Sequence, residues 1–179
     1  MSAVLSPDIH ERSVWLNDGP PVSDGEFVLY WAHHVLRAHD NPVLDAAVEM
    51  ALQLDLPLLV YQGLGGRHRY NSDRHHRFIL EAARDFSAEL AKKSLRLVFH
   101  LPTEPAEPGP LRELIKRSAI VVSELYPVPP FPGWYEGHRL RNPDVPWLQV
   151  DGSCILPMTQ SEKAPTRAFQ FRNRFRAEL

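Results

Sequence analysis

Residues 33–41 form a short polar segment whose side chains could bind an anion or move a proton. They include His33, His34, Arg37 and Asp40. Imidazoles titrate near neutral pH, and a guanidinium binds carboxylates and phosphates in a bidentate manner. A simpler interpretation is a helix entrance, in which Arg37 pairs with a carboxylate and both histidines are solvated. Because helix capping alone explains Asp40 and Asn41, we favour the simpler interpretation for these two residues.

The flanking sequence places this segment between a strand and a helix. An apolar run at 27–31 precedes it, and Pro42 is a typical first residue of a helix. Apolar residues then recur on one helical face: Val43, Leu44, Ala47, Val48, Ala51 and Leu52. Open α/β sheets bind ligands beyond the carboxyl end of a strand, which is where such a segment would lie.

Strand and helix patterns alternate along the rest of the chain. Apolar runs predict strands at 26–32, 56–61, 95–101, 119–125 and 147–150. Helices are predicted at 72–92, with a stripe of Phe78, Ile79, Ala82, Phe86 and Leu90, and at 111–117. Parallel strands need crossover connections, so the alternation predicts an α/β fold, a Rossmann-like, doubly wound, five-stranded parallel sheet. The strand order stays open.

The composition fits one ordinary globular domain. The chain has 179 residues, is 44% hydrophobic and carries a formal net charge of −2, so no global basic field points to nucleic acid. Its single cysteine, Cys154, excludes an intrachain disulfide and fits a reducing compartment. We expect a cytoplasmic protein without a membrane-spanning helix. We divide the chain into an extension (1–24), an α/β domain (25–160), and a linker with the start of a helical segment (161–179).

Four motifs occur in order along the chain. They are Trp31-Ala32-His33-His34-Val35-Leu36-Arg37-Ala38-His39-Asp40-Asn41; Arg74-His75-His76 with Phe78-Ile79-Leu80; Val121-Val122-Ser123-Glu124-Leu125 with Pro127; and Val145-Pro146-Trp147-Leu148-Gln149-Val150-Asp151, followed by Ile155-Leu156-Pro157-Met158 and Thr166-Arg167. Together they resemble the amino-terminal α/β domain of DNA photolyases and cryptochromes, and the second resembles class II cyclobutane-dimer photolyases. No motif is specific alone, but four in order are.

This resemblance implies the function of one part of a larger protein. In the family, the α/β domain often holds a light-harvesting antenna pigment, and a helical domain binds FAD and damaged DNA. The chain would then be an antenna and interface domain with no catalytic residue of its own, whose partners are the FAD-binding domain and, through the full-length protein, DNA. Two alternatives stay open: a stand-alone nucleotide- or flavin-binding module, and a cryptochrome-like photosensor domain.

The resemblance also implies a pigment site. The pigment would be an 8-hydroxy-deazaflavin, FMN or a folate, and its candidate contacts are Trp31, His34, Arg37, Gln62, Leu64 and Glu124. His34 and Val35 stand where the family often has arginine and aspartate, and a neutral histidine is a weaker anion partner than a guanidinium. Alternatively, Trp31 and Leu64 belong to the core, while Gln62 and Glu124 are polar groups of loops.

The histidines, the loop 63–71 and the carboxyl-terminal tail say less about function. The nine histidines lack a metal-ligand spacing, so we expect no metal. The loop 63–71 lacks a phosphate-binding fingerprint and is predicted to be a mobile basic loop. The tail after Arg167 has a helical pattern, and its apolar stripe (Phe171, Phe175, Leu179) would face the helical domain. Trp134 and Tyr135 are expected to cover the sheet or that same interface.

Overall fold

A six-stranded sheet forms the centre of the protein. The computed structural model describes residues 5–65, 72–102, 109–161 and 166–176. Its strands are β1 (Ser13–Asn17), β2 (Phe27–Trp31), β3 (Leu58–Gly63), β4 (Leu97–His100), β5 (Ser118–Glu124) and β6 (Trp147–Val150). They lie in the order β1-β6-β5-β2-β3-β4, and the five strands β2 to β6 are parallel. These five are the predicted strands.

The strand β1 corrects the sequence analysis, which placed no strand before residue 25 and so predicted one strand too few. β1 pairs with β6 in antiparallel orientation, with Ser13 opposite Val150. Arg12 extends this contact, because its guanidinium donates to the carbonyl oxygens of Asp151 and Cys154. Val14, Trp15 and Leu16 form too short an apolar run to predict a strand, and the partner that orders them lies near the other end of the chain.

Helices cover both faces of the sheet. They are α1 (Pro7–His10), α2 (Pro42–Leu54), α3 (Asp73–Lys92), α4 (Leu111–Arg117), α5 (Phe131–Arg141) and α6 (Ala168–Phe175). One core joins α1, α2 and α3 to inward residues such as Val28 and Tyr30. The other core joins α4 and α5 to residues of the opposite face, such as Leu29 and Trp31. The doubly wound α/β architecture is therefore confirmed.

The start of α2 follows the predicted chemistry with one correction. Asn41, not Asp40, is the N-cap: its side chain accepts from the backbone N–H groups of Val43 (3.1 Å) and Leu44 (3.0 Å). Asp40 lies outside the helix at a φ of 46°. The predicted apolar face also shifts, since Leu52 is 76% exposed. The buried face consists of Val43, Leu44, Ala46, Ala47, Met50 and Ala51.

The helix α3 begins as predicted, because the Ser72 side chain accepts from the N–H of His75. Its buried residues are Ala83, Phe86 and Leu90, whereas Phe78 is 70% exposed. Only the carboxyl-terminal half of α3 therefore contributes to the core. Most of the loop 63–71 and of the proline-rich linker 102–110 lies outside the described residues, so their predicted character stays a prediction. In the described ranges no helix is long and apolar enough to span a membrane.

Candidate ligand site at the carboxyl ends of the strands

The sheet has a topological switch point between β2 and β5. From β2 the chain continues through α2 on one face, and from β5 it continues through α5 on the other. The two strands are paired in parallel, with Trp31 opposite Ser123, so their carboxyl ends lie side by side. In open α/β sheets the crevice at such a point is the usual ligand site.

The Glu124 carboxylate lies at this switch point, between the end of β5 and the segment that follows β2. Glu124 is the last residue of β5 and is 1% exposed. Its oxygens accept three consecutive backbone N–H groups of the segment after β2, those of His33 (2.9 Å), His34 (2.8 Å) and Val35 (3.2 Å). The Tyr30 hydroxyl donates a fourth hydrogen bond, at 3.2 Å. We call the three N–H groups the N–H cradle.

Burial and hydrogen bonding have opposite effects on the pKa of Glu124. Burial raises the pKa of Glu124, while the bonds from the N–H cradle and from Tyr30 oppose that increase because they favour the charged form. Burial and the neighbouring Glu124 charge also raise the pKa of Tyr30, so its hydroxyl keeps its proton and acts as a donor. The three N–H groups of the cradle and the Tyr30 hydroxyl all donate to oxygens of Glu124, an arrangement that suits a carboxylate.

A cluster of aromatic rings lies beside Glu124. Trp31 is 4% exposed, and its ring centroid lies 4.5 Å from His33, 5.3 Å from His138 and 5.4 Å from Tyr135. Trp147 packs at 5.9 Å from Trp31 and donates its indole N–H to Ser123. Trp31 is therefore a core residue, and any ligand at this edge would lie beyond it.

Three polar atoms in this cluster are buried without a hydrogen-bond partner in the described part of the chain. They are His33 Nε2, His138 Nδ1 and Tyr135 Oη. Burial, followed by the nearby His34 and His138, lowers the pKa of His33 to about 3. Burial also lowers the pKa of His138, with Arg141 and Arg112 as further causes. Both histidines are therefore neutral at pH 7, and the expectation that His33 is solvated is wrong.

Four accessible or half-buried rings extend the cluster outward. The His34 ring stacks on Tyr126 at 3.9 Å and meets the edge of Phe131 at 4.3 Å. Trp134 packs on Phe131 at 4.9 Å and is 42% exposed. We call His34, Tyr126, Phe131 and Trp134 the aromatic wall. Burial lowers the pKa of His34, so the wall offers flat, uncharged surface at neutral pH.

The structure brings together only half of the residues predicted for the pigment site. Trp31, His34 and Glu124 meet at the β2–β5 switch point, through the segment that starts at His33. Gln62 and Leu64, 3% and 8% exposed, lie at the end of β3, on the other side of β2. Gln62 Oε1 is buried without a partner in the described ranges. Gln62 is thus a strand residue, and Glu124 is not a polar group of a loop.

Arg37 points away from the aromatic wall. Its guanidinium donates to the carbonyl oxygens of Asp40 (2.8 Å) and Gly152 (3.0 Å), not to a carboxylate as the simpler interpretation held. It lines a shallow cleft of about 380 Å³ that also includes Arg12 and Asp45. Arg37 therefore ties the segment after β2 to the loop after β6.

The helix α5 supplies most of the residues that the sequence analysis did not assign to the site; Tyr126, which precedes α5, is another. Prolines at 127, 129, 130 and 132 made the segment look irregular, although proline near the start of a helix is well tolerated. Phe131, Trp134, Tyr135 and His138 follow the i, i+3, i+4, i+7 spacing of a helix face, which is the signal that could have revealed it. Tyr135 is 2% exposed and covers the sheet, as was expected.

Within residues 5–65, 72–102, 109–161 and 166–176, no group of three His, Cys, Asp or Glu side chains is arranged to hold a metal ion. His33 and His138 face the same cluster, but their unpartnered nitrogens lack a third ligand of that kind. The expectation of no metal stays a prediction.

The architecture is that of a doubly wound α/β domain with a candidate ligand site at its switch point. The sequence model of the DNA photolyase family matches residues 28–129, which is more than half of the chain. The chain therefore belongs to the DNA photolyase family. The matched region runs from β2 to residue 129, just before α5, so it includes the carboxyl ends of β2 and β5 but not Phe131 or Trp134.

Two individual proteins are similar to the chain. A deoxyribodipyrimidine photo-lyase of Methanothermobacter thermautotrophicus is 28% identical over 170 residues. That match covers 94% of the chain but only 37% of the relative, so the chain spans little more than a third of the relative's length. A universal stress protein from Archaeoglobus fulgidus has a TM-score of 0.46 at 16% identity, over 70% of this chain and 98% of that one. Nothing further rests on this weaker likeness.

Proposed function

We propose that this chain is the antenna domain of a photolyase-type protein and that it holds a planar pigment against the aromatic wall. The observation that carries the proposal is the position of the wall. His34, Tyr126, Phe131 and Trp134 line the outer side of the switch-point crevice, and Trp134 is 42% exposed. Aromatic rings that remain accessible at a strand-end crevice suit a flat conjugated ligand, because ring stacking and apolar contact favour its binding.

The chemistry of the wall favours a deazaflavin ring among the three candidate pigments. His34 is neutral at pH 7 because burial lowers its pKa, and Arg37 is directed at backbone carbonyl groups. A pigment whose binding depends on an anionic tail would find little charge to pair with at His34 or Arg37. FMN and folates are therefore weaker candidates than the 8-hydroxy-deazaflavin ring.

The activity of the larger protein is also part of the proposal. Light-driven repair of pyrimidine dimers would need a helical FAD-binding domain, in the same chain or a separate one, and contact with damaged DNA would occur through that assembly. The helix α6 has two exposed phenylalanines, Phe169 (50%) and Phe171 (43%), that suit such a domain contact. Assignment to class II photolyases and to the cytoplasm, where Cys154 would stay a free thiol, belongs to the same proposal.

The test is an absorption measurement on the purified protein mixed with each pigment and then freed of excess by gel filtration. We expect the 8-hydroxy-deazaflavin to co-elute and to give a near-ultraviolet or blue band. Trp134→Ala should weaken its binding about tenfold, since one aromatic stacking partner contributes roughly 1–3 kcal/mol. Phe78→Ala is the matched control, because Phe78 is exposed on α3. Co-elution of no pigment, or equal losses in both variants, would contradict the proposal.

A further inference from the structure

We infer that Glu124 is a built-in anion that excludes phosphate groups from the switch-point crevice, so that the site selects rings without a phosphate. This inference rests on the proposed function, which supplies the class of ligand, a planar pigment. It assigns Glu124 a role in specificity without direct contact with the pigment.

The geometry of the N–H cradle is that of an anion site. Three consecutive backbone N–H groups point to one place, where they meet the two oxygens of Glu124 at 2.8–3.2 Å. Consecutive N–H groups directed in this way bind the oxyanions of phosphate in many nucleotide sites. Here the anion comes from the protein itself, from a residue about ninety positions further along the chain.

The segment that carries the cradle offers a second anion no free positive charge. The His33 and His34 rings are uncharged at neutral pH because burial lowers the pKa of each. The guanidinium of the same segment, that of Arg37, donates to the carbonyls of Asp40 and Gly152, while Arg112 and Arg141 lie on the His138 side of the cluster. A phosphate at the crevice would therefore meet a buried carboxylate and no free backbone donor of the cradle, and both conditions oppose its binding.

Riboflavin and FMN test this selectivity directly, because they differ only by a phosphate. We expect the wild-type protein to bind riboflavin at least as tightly as FMN in a fluorescence-quenching titration. In Glu124→Ala the cradle is vacated, and the preference should change to FMN by tenfold or more. Glu124→Gln keeps the size of the side chain but removes its charge, so it should shift the ratio in the same direction by less. A tenfold preference of the wild type for FMN, or an unchanged ratio in both variants, would overturn the inference.

A second measurement does not depend on any pigment. Acetate has the atoms that Glu124→Ala removes, a methylene-sized carbon and a carboxylate, so it should enter the vacated cradle. We expect sodium acetate to raise the melting temperature of Glu124→Ala by several degrees relative to sodium chloride of equal ionic strength. Wild type and Glu124→Gln, whose cradles are filled, should not respond. Equal responses in all three proteins would show that no anion site exists there.

The two measurements separate the failure of this inference from the failure of the proposed function. If neither flavin nor deazaflavin binds the wild type, the pigment proposal fails, and the acetate response alone decides whether Glu124 fills an anion site. Glu124→Ala could fail to fold in chloride; folding in acetate would then support the inference. Failure to fold in both salts, together with an unchanged flavin ratio in Glu124→Gln, would overturn it.

Discussion

Two buried carboxylates lie at neighbouring strand ends and accept the same number of backbone N–H groups, yet they stabilise different kinds of contact. Glu124, at the end of β5, binds the segment that follows β2. Asp151, directly after β6, binds its own downstream loop through the N–H groups of Ser153 (3.0 Å), Cys154 (3.0 Å) and Met158 (2.9 Å). Both residues are at most 1% exposed. One carboxylate shapes a single loop, and the other joins two distant parts of the chain.

The difference bears on function because only Glu124 spans the switch point. Its bonds hold the segment that bears His33 and His34 against the end of β5, so the position of His34 in the aromatic wall depends on it. Asp151 arranges the loop that also receives Arg12 and Arg37 on its carbonyl groups. Substitutions that keep the shape of each side chain should therefore distinguish the long-range hydrogen bonds of Glu124 from the local ones of Asp151.

The largest effect is expected for Glu124→Gln. Oε2 accepts from His33 and His34, and an amide nitrogen in its place would face two N–H donors. We expect a loss of about 3 kcal/mol in the free energy of unfolding, because buried donors lose a charged acceptor. Urea denaturation followed by tryptophan fluorescence measures it. A loss below about 1 kcal/mol would mean that the carboxylate is not needed to hold the two segments together.

The next largest effect is a pH dependence of stability that arises from His33, in the segment that Glu124 binds. The pKa of His33 falls from 6.5 to about 3 on folding, so the unfolded chain takes up a proton first as the pH decreases. The His33 contribution to stability is thus fully present above pH 6.5 and decreases towards pH 3. At pH 5 the loss reaches about 2 kcal/mol.

His33→Gln should remove this part of the acid sensitivity. The measurement compares urea denaturation at pH 7.5 and pH 5 for wild type, His33→Gln and His10→Gln, in which an exposed histidine of α1 is replaced. We expect the pH-dependent loss to shrink only in His33→Gln. Identical losses in all three proteins would place the acid-sensitive group elsewhere.

The contrast between the two carboxylates also explains what sequence alone could predict. The α2 start and the five predicted strands depend on patterns of residues close together in the chain, so periodicity and capping chemistry indicate them. The strand β1 depends on a pairing with β6, and α5 was hidden by its prolines. Glu124 was selected from a motif as a pigment contact, but the direction of its side chain depends on a loop about ninety residues earlier. No local pattern encodes that distance.

Asp151→Asn should have a smaller effect than Glu124→Gln. Oδ1 accepts from Ser153 and Cys154, and an asparagine oxygen can keep both bonds, so only the bond from Met158 to Oδ2 is lost. We expect a loss of roughly 1–2 kcal/mol in the free energy of unfolding. Pigment binding should stay unchanged. If Asp151→Asn weakened the pigment as much as Glu124→Gln, the two carboxylates would not be separate in function.

Tyr30→Phe is expected to have the smallest effect, because it removes one of four donors to Glu124 and leaves the N–H cradle intact. We expect a loss of about 1 kcal/mol in urea denaturation. Tyr135→Phe is the matched control: its buried hydroxyl has no partner in the described ranges, so its removal should cost nothing. In a Glu124→Gln background the Tyr30 hydroxyl would donate to a neutral oxygen, and the loss should fall to about half. An undiminished loss in that background would mean that the Tyr30 hydroxyl acts through its other acceptor, the Val35 carbonyl oxygen at 3.5 Å, and not through Glu124. The cradle alone would then be responsible for holding the carboxylate.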